Sequence, residues 1–253
     1  MRSLPFGLLD RRFAPAPAPG RVAFLKGRRF AHRGWHGGDL VENSPAAFAA
    51  AIARGDGIEL DVQESRDGQA TVFHDYTLDR LTAERGPVIG RTAAELGRIE
   101  LANTGTYLAT LSQILHLIAN RVPVLVEVKS KRRQPARLCA AVRDALHGYA
   151  GPVAVMSFNP EVGRWFARHS PATVRGLVVT EENDKGCPGR SRRHLALWRA
   201  RADFLAYDVR DLPSPFAAAQ RARGLPVLSW TVRSDADEAT VAVHADAPIH
   251  ERP

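Results

Sequence analysis

The sequence predicts an α/β fold, a (β/α)8 TIM barrel with a β-hairpin and a small insertion after the second strand and with the terminal helix absent. Three observations predict it. Leaving one hairpin arm aside, eight short apolar runs alternate with helical patterns along the chain, and such alternation gives a parallel sheet with helical crossovers. Polar residues recur at the C-terminal ends of those runs, which is where barrels gather their sites. No glycine-rich phosphate loop follows the first strand, so an open doubly wound sheet is the weaker competitor. With 253 residues, 45% of them hydrophobic and 25% charged, the chain suits one large domain with a sizeable core.

In chain order, residues 1–27 read as a Pro/Ala-rich N-terminal extension and 28–253 as the barrel domain. The extension holds only a four-residue apolar patch, Phe6 to Leu9, too short for a signal-peptide core or a membrane span, so the expected location is cytoplasmic with no stable membrane insertion. Phe13 to Gly20, FAPAPAPG, is expected to run as extended polyproline outside the core, as a spacer or surface wrap. Residues 1–27 are expected to cover the place of the missing last helix. Arg29 to Gly34 reads as a short strand with His32 and Arg33 at its mouth, and Ser44 or Asn43 caps a helix that opens on Pro45.

Gly57 to Asp75 carries the densest chemistry. Ile58, Leu60 and Val62 fall on one face of a strand, and Glu59 and Asp61 fall together on the other. An Asp67-Gly68 turn then folds Ala70 to Phe73 back and brings His74 near the two acids. Paired carboxylates on a core strand require a cation, a proton or an arginine, and a divalent metal is the economical answer. For an isolated pair, a solvated hairpin face is the plainer reading. Residues 76–110 form the insertion, with no strong strand. Helix 111–119 leads into a buried strand, Pro123 to Lys129, on which Leu125, Glu127 and Lys129 share a face. Helices then follow at 135–146, 160–168, 192–201, 215–223 and 236–243, between strands at 153–158, 174–180, 204–209, 226–232 and 247–251.

The formal charge is +8 and the isoelectric point is near 10.2. The arginines are spread along helices, and the denser patches at Lys129 to Arg133 and Arg190 to Arg193 lack interleaved aromatics, so no nucleic-acid partner is expected. A general attraction for anionic substrates survives. Cys139 and Cys187 lie far apart without metal spacing, consistent with a reducing compartment.

His32-Arg33-Gly34, Glu42-Asn43-Ser44, Glu59-Leu60-Asp61-Val62, Asp67-Gly68, His74-Asp75, Glu127-Val128-Lys129 and Trp230-Thr231-Val232 together resemble the glycerophosphodiester phosphodiesterase family, as does Ser157-Phe158-Asn159-Pro160. The resemblance spans Phe30 to Pro253. It departs from the family at Arg233 and at His250-Glu251, and in the absent terminal helix. It implies a (β/α)8 barrel and a metal-dependent hydrolase that cleaves a small-molecule glycerophosphodiester to glycerol 3-phosphate and an alcohol. It further implies Glu59, Asp61 and Glu127 as metal ligands and His32 and His74 as acid and base. An all-oxygen ligand set favours Mg²⁺ or Ca²⁺. Arg33 is expected to clamp phosphate oxygens, Lys129 to add a point charge, and Trp230 to wall the substrate or simply to pack in the core. Two other readings keep the same residues: a lysophospholipase D-type enzyme, for which Leu78, Leu81, Val88 and Ile89 hint at an apolar groove, and a catalytically silent anion-binding barrel. His116, His147, His169, His194 and His244 are assigned no role.

Overall fold

A computed structural model of the chain describes residues 6–102, 104–131, 135–182 and 184–251. In chain order the elements are α1 (Phe6–Phe13), α2 (Pro19–Val22), β1 (Phe30–Ala31), α3 (Pro45–Ala53), β2 (Gly57–Glu64), β3 (Ala70–Val72), α4 (Ala93–Leu96), β4 (Glu100–Leu101), β5 (Thr106–Tyr107), α5 (Leu111–Ile118) and β6 (Val124–Val128). They continue as α6 (Ala136–Leu146), β7 (Val153–Ser157), α7 (Pro160–His169), β8 (Val174–Val179), α8 (Cys187–Ala200), β9 (Phe204–Asp208), α9 (Pro215–Ala222), β10 (Val227–Val232), α10 (Asp235–His244) and β11 (Ala247–His250). The sheet order is β1-β11-β10-β9-β8-β7-β6-β2-β3, with β1 also paired to β2, which is the strand order of a closed (β/α)8 barrel carrying β3 as an antiparallel hairpin arm. The expected eight parallel strands are all present. The chain divides into two compact units, residues 30–153 and residues 1–29 with 154–252.

In the first unit β2 is buried along its whole length, as a strand covered on both faces must be. It pairs in parallel with β1 on one side and β6 on the other. Gly57 opens β2 because the Phe30 ring lies 2.5 Å from where a β-carbon would stand. Ser44, not Asn43, caps α3: its hydroxyl accepts from the Ala47 N–H at 3.1 Å, with Pro45 at the first helical position. The hairpin forms as expected, with Val62 opposite Val72 and Gly68 at a φ of 81° in the turn. The insertion is more ordered than its sequence suggests. Thr92 and Glu95 build a capping box on α4, and β4 and β5 form a short antiparallel pair. Phe73, Leu78, Val88, Leu96, Ile99, Leu101 and Leu108 close into a core of their own, each contributing about 1.5–3 kcal/mol by burial. That changes the reading of the insertion as an apolar groove: Leu78 and Val88 are interior, Leu81 packs against them, and only Ile89 of the four lines a cavity.

In the second unit the extension is structural. Phe6 to Phe13 is helical, Pro19 starts a second short helix, and Ala14, in the segment expected to stay outside, belongs to the core. Buried Asp10 explains the attachment: its carboxylate accepts from His194 Nδ1 at 2.8 Å, Trp198 Nε1 at 2.7 Å and Gln220 Nε2 at 2.8 Å. The extension thus seats on α8 and α9 instead of replacing a helix after β11. Gly27 and Arg29 reach the last βα unit, through Asp246 and Glu238. His194, assigned no role from sequence, is the buried centre of this latch, stacked on Phe6 at 4.1 Å. Helix α8 begins at Cys187, five residues before its expected start, because Pro188 suits the first turn of a helix. The Arg190 to Arg193 patch is not a plain solvated face. Arg193 pairs with Glu181 at 3.0 Å, Arg192 pairs with Asp184, and Arg190 lies over the Phe6 ring. No helix among the described residues is long and apolar enough to cross a membrane.

Candidate active site

The site lies at the C-terminal ends of β1, β2 and β6, and strand register assembles it. Asp61 stands directly beside Glu127 on the neighbouring strand, and Glu59 sits two residues earlier on the same face of β2. One oxygen from each of the three acids lies within 4.8 Å of the others. Glu59 and Asp61 have no solvent exposure and Glu127 only 5%.

Their electrostatics differ because their neighbours do. Burial, then Asp61 and Glu127, pushes the Glu59 carboxyl well above the usual carboxylate range. Burial also drives Asp61 upward, but Lys129, Arg33 and both histidines, His74 and His32, outweigh it and hold the group well below its ordinary value. Glu127 is raised by burial, with Lys129 opposing and Asp61 adding to the rise. Lys129 Nζ lies 3.0 Å from Asp61 Oδ1 and 2.7 Å from Glu127 Oε1, and these acids hold it charged against the effect of burial. Glu59 Oε2 accepts from the Arg33 N–H at 3.0 Å, while Oε1 is buried with no hydrogen bond. Three converging acids, one with an orphaned buried oxygen, fit a divalent cation. The all-oxygen donor set suits a hard one.

Arg33 is held by its backbone and by two acids. Its backbone takes a φ of 57°, aiming its N–H at Glu59. Its guanidinium spans Glu42 Oε1, 2.7 Å from Nη1, and Asp61 Oδ2, 3.4 Å from Nε. Glu42, half-buried, also accepts from Arg80 at 2.7 and 2.9 Å, and these arginines keep its carboxyl low against the effect of burial. Asn43, read from sequence as a possible helix cap, grips Asp61 twice. Its Nδ2 donates to Oδ2 at 2.9 Å and its Oδ1 accepts from the Asp61 N–H at 3.2 Å. Glu42 and Asn43 stand together in the sequence motif, but nothing local to it shows that they support the acids.

His74 arrives as the hairpin requires. Gln63 Nε2 donates to its carbonyl at 2.8 Å, and its Nδ1 meets Asp75 Oδ1 at 2.6 Å; Asp75 is in turn held by Arg80 Nε at 2.6 Å. That brace leaves Nε2 as the ring nitrogen turned away from Asp75. Burial lowers the imidazole's affinity for a proton, with Lys129 and Arg33 adding to this and Asp61 and Asp75 opposing it. Buried His32 places Nε2 3.8 Å from Glu59 Oε2. Seven of the eight residues singled out from sequence therefore converge here. Trp230 belongs to the other unit, on β10, where its Nε1 donates to the Ala206 carbonyl at 2.9 Å and its ring stands edge-on to Phe158. Of the Lys129 to Arg133 patch, Lys129 enters the site, and Arg132 and Arg133 lie outside the described residues.

Comparison with known proteins gives concordant results. The sequence model of a family described as the glycerophosphoryl diester phosphodiesterase family matches residues 32–248. A glycerophosphodiester phosphodiesterase of Caldanaerobacter subterraneus is 28% identical over 236 residues, covering 88% of this chain and 93% of its own length. One from Bacillus altitudinis is 38% identical over 109 residues, 40% of this chain and 44% of the relative. Among solved structures, an Oleispira antarctica phosphodiesterase in complex with the product sn-glycerol-3-phosphate superposes with a TM-score of 0.78 at 22% identity, over 89% of this chain and 93% of that one. At that identity the likeness is one of fold, and it is the barrel expected from the strand order.

Proposed function

Because this chain belongs to the glycerophosphoryl diester phosphodiesterase family, whose members are phosphoric diester hydrolases, we propose that it cleaves glycerophosphodiesters to glycerol 3-phosphate and an alcohol in a metal-dependent reaction. The observation that carries the reading is the convergence of Glu59, Asp61 and Glu127 with a braced His74 and a buried His32. Glu59, Asp61 and Glu127 would hold the divalent cation, Mg²⁺ or Ca²⁺, which when bound neutralises phosphate charge.

The chain's own residues supply the rest. Hydrolysis adds water to phosphorus, breaks the phosphorus–oxygen bond to the alcohol, and moves a proton from the nucleophile to the departing oxygen. His32 takes the first proton and His74 gives the second. Asp75 on Nδ1 keeps the His74 ring oriented and stabilises its protonated form, and an anionic substrate shifts the ring the same way. Lys129 and Arg33 are the cations closest to the carboxylates and meet the phosphate's charge there, while Asn43 and Glu42 hold Asp61 and Arg33 in place.

The test is turnover of glycerophosphodiesters with EDTA and with Mg²⁺ or Ca²⁺ added back, in the wild type and in His32→Ala and His74→Ala. Each histidine variant is also assayed on a p-nitrophenyl ester, whose leaving group departs without protonation. His74→Ala should lose much less on the activated ester. Equal losses on both substrates for both variants would refute the division of proton transfer, and full activity in EDTA would refute the metal.

A further inference from the structure

Beside the carboxylates, a cavity of about 230 Å³ opens between the β2 hairpin and the first turn of α6. Tyr76, Pro87, Ile89 and Leu138 make its apolar walls, and Lys129 and Lys131 supply its cations. Lys129 joins the two spaces, since the same ammonium that lines the cavity contacts Asp61 and Glu127. The cavity is too small for a whole lysolipid but admits a leaving alcohol. Its charge is decisive. Glu64 is its one carboxylate and is paired with Arg137 at 3.3 Å, whereas Lys131 places Nζ 4.4 Å from the Tyr76 ring centroid. An aromatic face is the surface that recognises a quaternary ammonium, and here a resident ammonium already covers it.

We propose that this cavity receives the leaving alcohol and that Lys131, seated on the Tyr76 ring, selects against cationic head groups in favour of uncharged ones. The inference rests on the phosphodiesterase reading and deepens it. A choline-like group entering the cavity meets the Lys129 and Lys131 ammonium groups, and Lys131 already occupies the Tyr76 ring it would seek. An uncharged alcohol of the same shape packs on Pro87, Ile89 and Leu138 without that repulsion.

The test compares kcat/KM for two glycerol phosphodiesters, that of choline and that of 3,3-dimethylbutanol, in which carbon replaces the quaternary nitrogen. The wild type should favour the uncharged ester by about tenfold at low ionic strength. Lys131→Met keeps an apolar stem but removes the charge and bares the ring, so the ratio should fall severalfold toward unity or below. Ile89→Asp adds an anion to the wall and should move the ratio the same way through a different residue. Because each result is a ratio within one protein, loss of active protein cancels. A wild type that prefers the choline ester or handles both equally, or a ratio that neither variant moves, overturns the selection by Lys131. Absence of any cleavage of either ester with metal present overturns the phosphodiesterase reading beneath it as well.

Discussion

Replacing Asn43 by alanine isolates the support of the carboxylates from the carboxylates themselves. Asn43 makes no contact that would donate to or accept from a phosphodiester directly in the reaction proposed; its amide is spent on Asp61, 2.9 Å from Oδ2 and 3.2 Å from the backbone nitrogen. A buried hydrogen bond to an ionised group is worth about 1.5–3 kcal/mol and one between neutral groups about 1 kcal/mol. Asn43 also holds a φ of 56°, which asparagine tolerates and alanine resists at a cost of about 1 kcal/mol. Asn43→Ala should therefore cost roughly 3–5 kcal/mol, or about 6–20 °C in Tm for a chain of this size. Freed of its brace, Asp61 should bind a divalent cation about 10- to 100-fold more weakly, as happens when groups supporting metal ligands are removed. Differential scanning calorimetry gives the first quantity and isothermal titration with Mg²⁺ or Ca²⁺ the second. Asn43→Asp is the harsher control, because it replaces a donor to Asp61 with a second carboxylate. An alanine variant that melts within about 2 °C of wild type and titrates like it would refute the reasoning.

Three further outcomes follow from the same geometry. In EDTA the folded protein keeps Glu59 protonated at a pH where the unfolded chain releases that proton, so stability is full below the ordinary glutamate range and is lost as pH rises through the raised folded value; Glu59→Gln should flatten this dependence and abolish stabilisation by added metal, and a wild type with equal Tm at about pH 5 and pH 8 in EDTA would contradict it. Asp10→Ala leaves the donors of His194, Trp198 and Gln220 without their shared acceptor and should cost roughly 3–5 kcal/mol in urea unfolding, whereas a peripheral spacer would cost almost nothing. Gly68→Val forces a β-branched residue to a φ of 81° and brings its β-carbon within 2.5 Å of Arg137 Nε; a loss of about 1–3 kcal/mol should accompany a larger fractional loss of turnover as His74 shifts, and unfolding without any selective loss of turnover would show the hairpin to be structural only.

The barrel, the hairpin and the residue types of the site are legible in the sequence, because they rest on short-range rules. Period-two alternation puts Glu59 and Asp61 on one face, an Asp-Gly turn reverses the chain, and strand–helix alternation closes a parallel sheet. Even the neighbouring of Glu127 and Asp61 follows once β2 and β6 pair, and the family resemblance implies both as metal ligands. The long-range choices are made by folding alone. Asn43 and Ser44 are both good helix caps on paper; Ser44 took the cap, and Asn43 turned to an aspartate 18 positions away. Arg33, expected to clamp phosphate, divides its guanidinium between Glu42 and Asp61 because buried carboxylates demand a donor wherever one is within reach. The extension looks like a spacer by composition, yet Asp10 draws it onto α8 and α9, since burying one charge required three donors separated from it by 184 to 210 residues. Lys131 reads as one more basic residue, and only the fold sets it over Tyr76 at the start of the insertion. In each case the local signal was ambiguous, and the partner that resolved it lay in a part of the chain that only folding brings near.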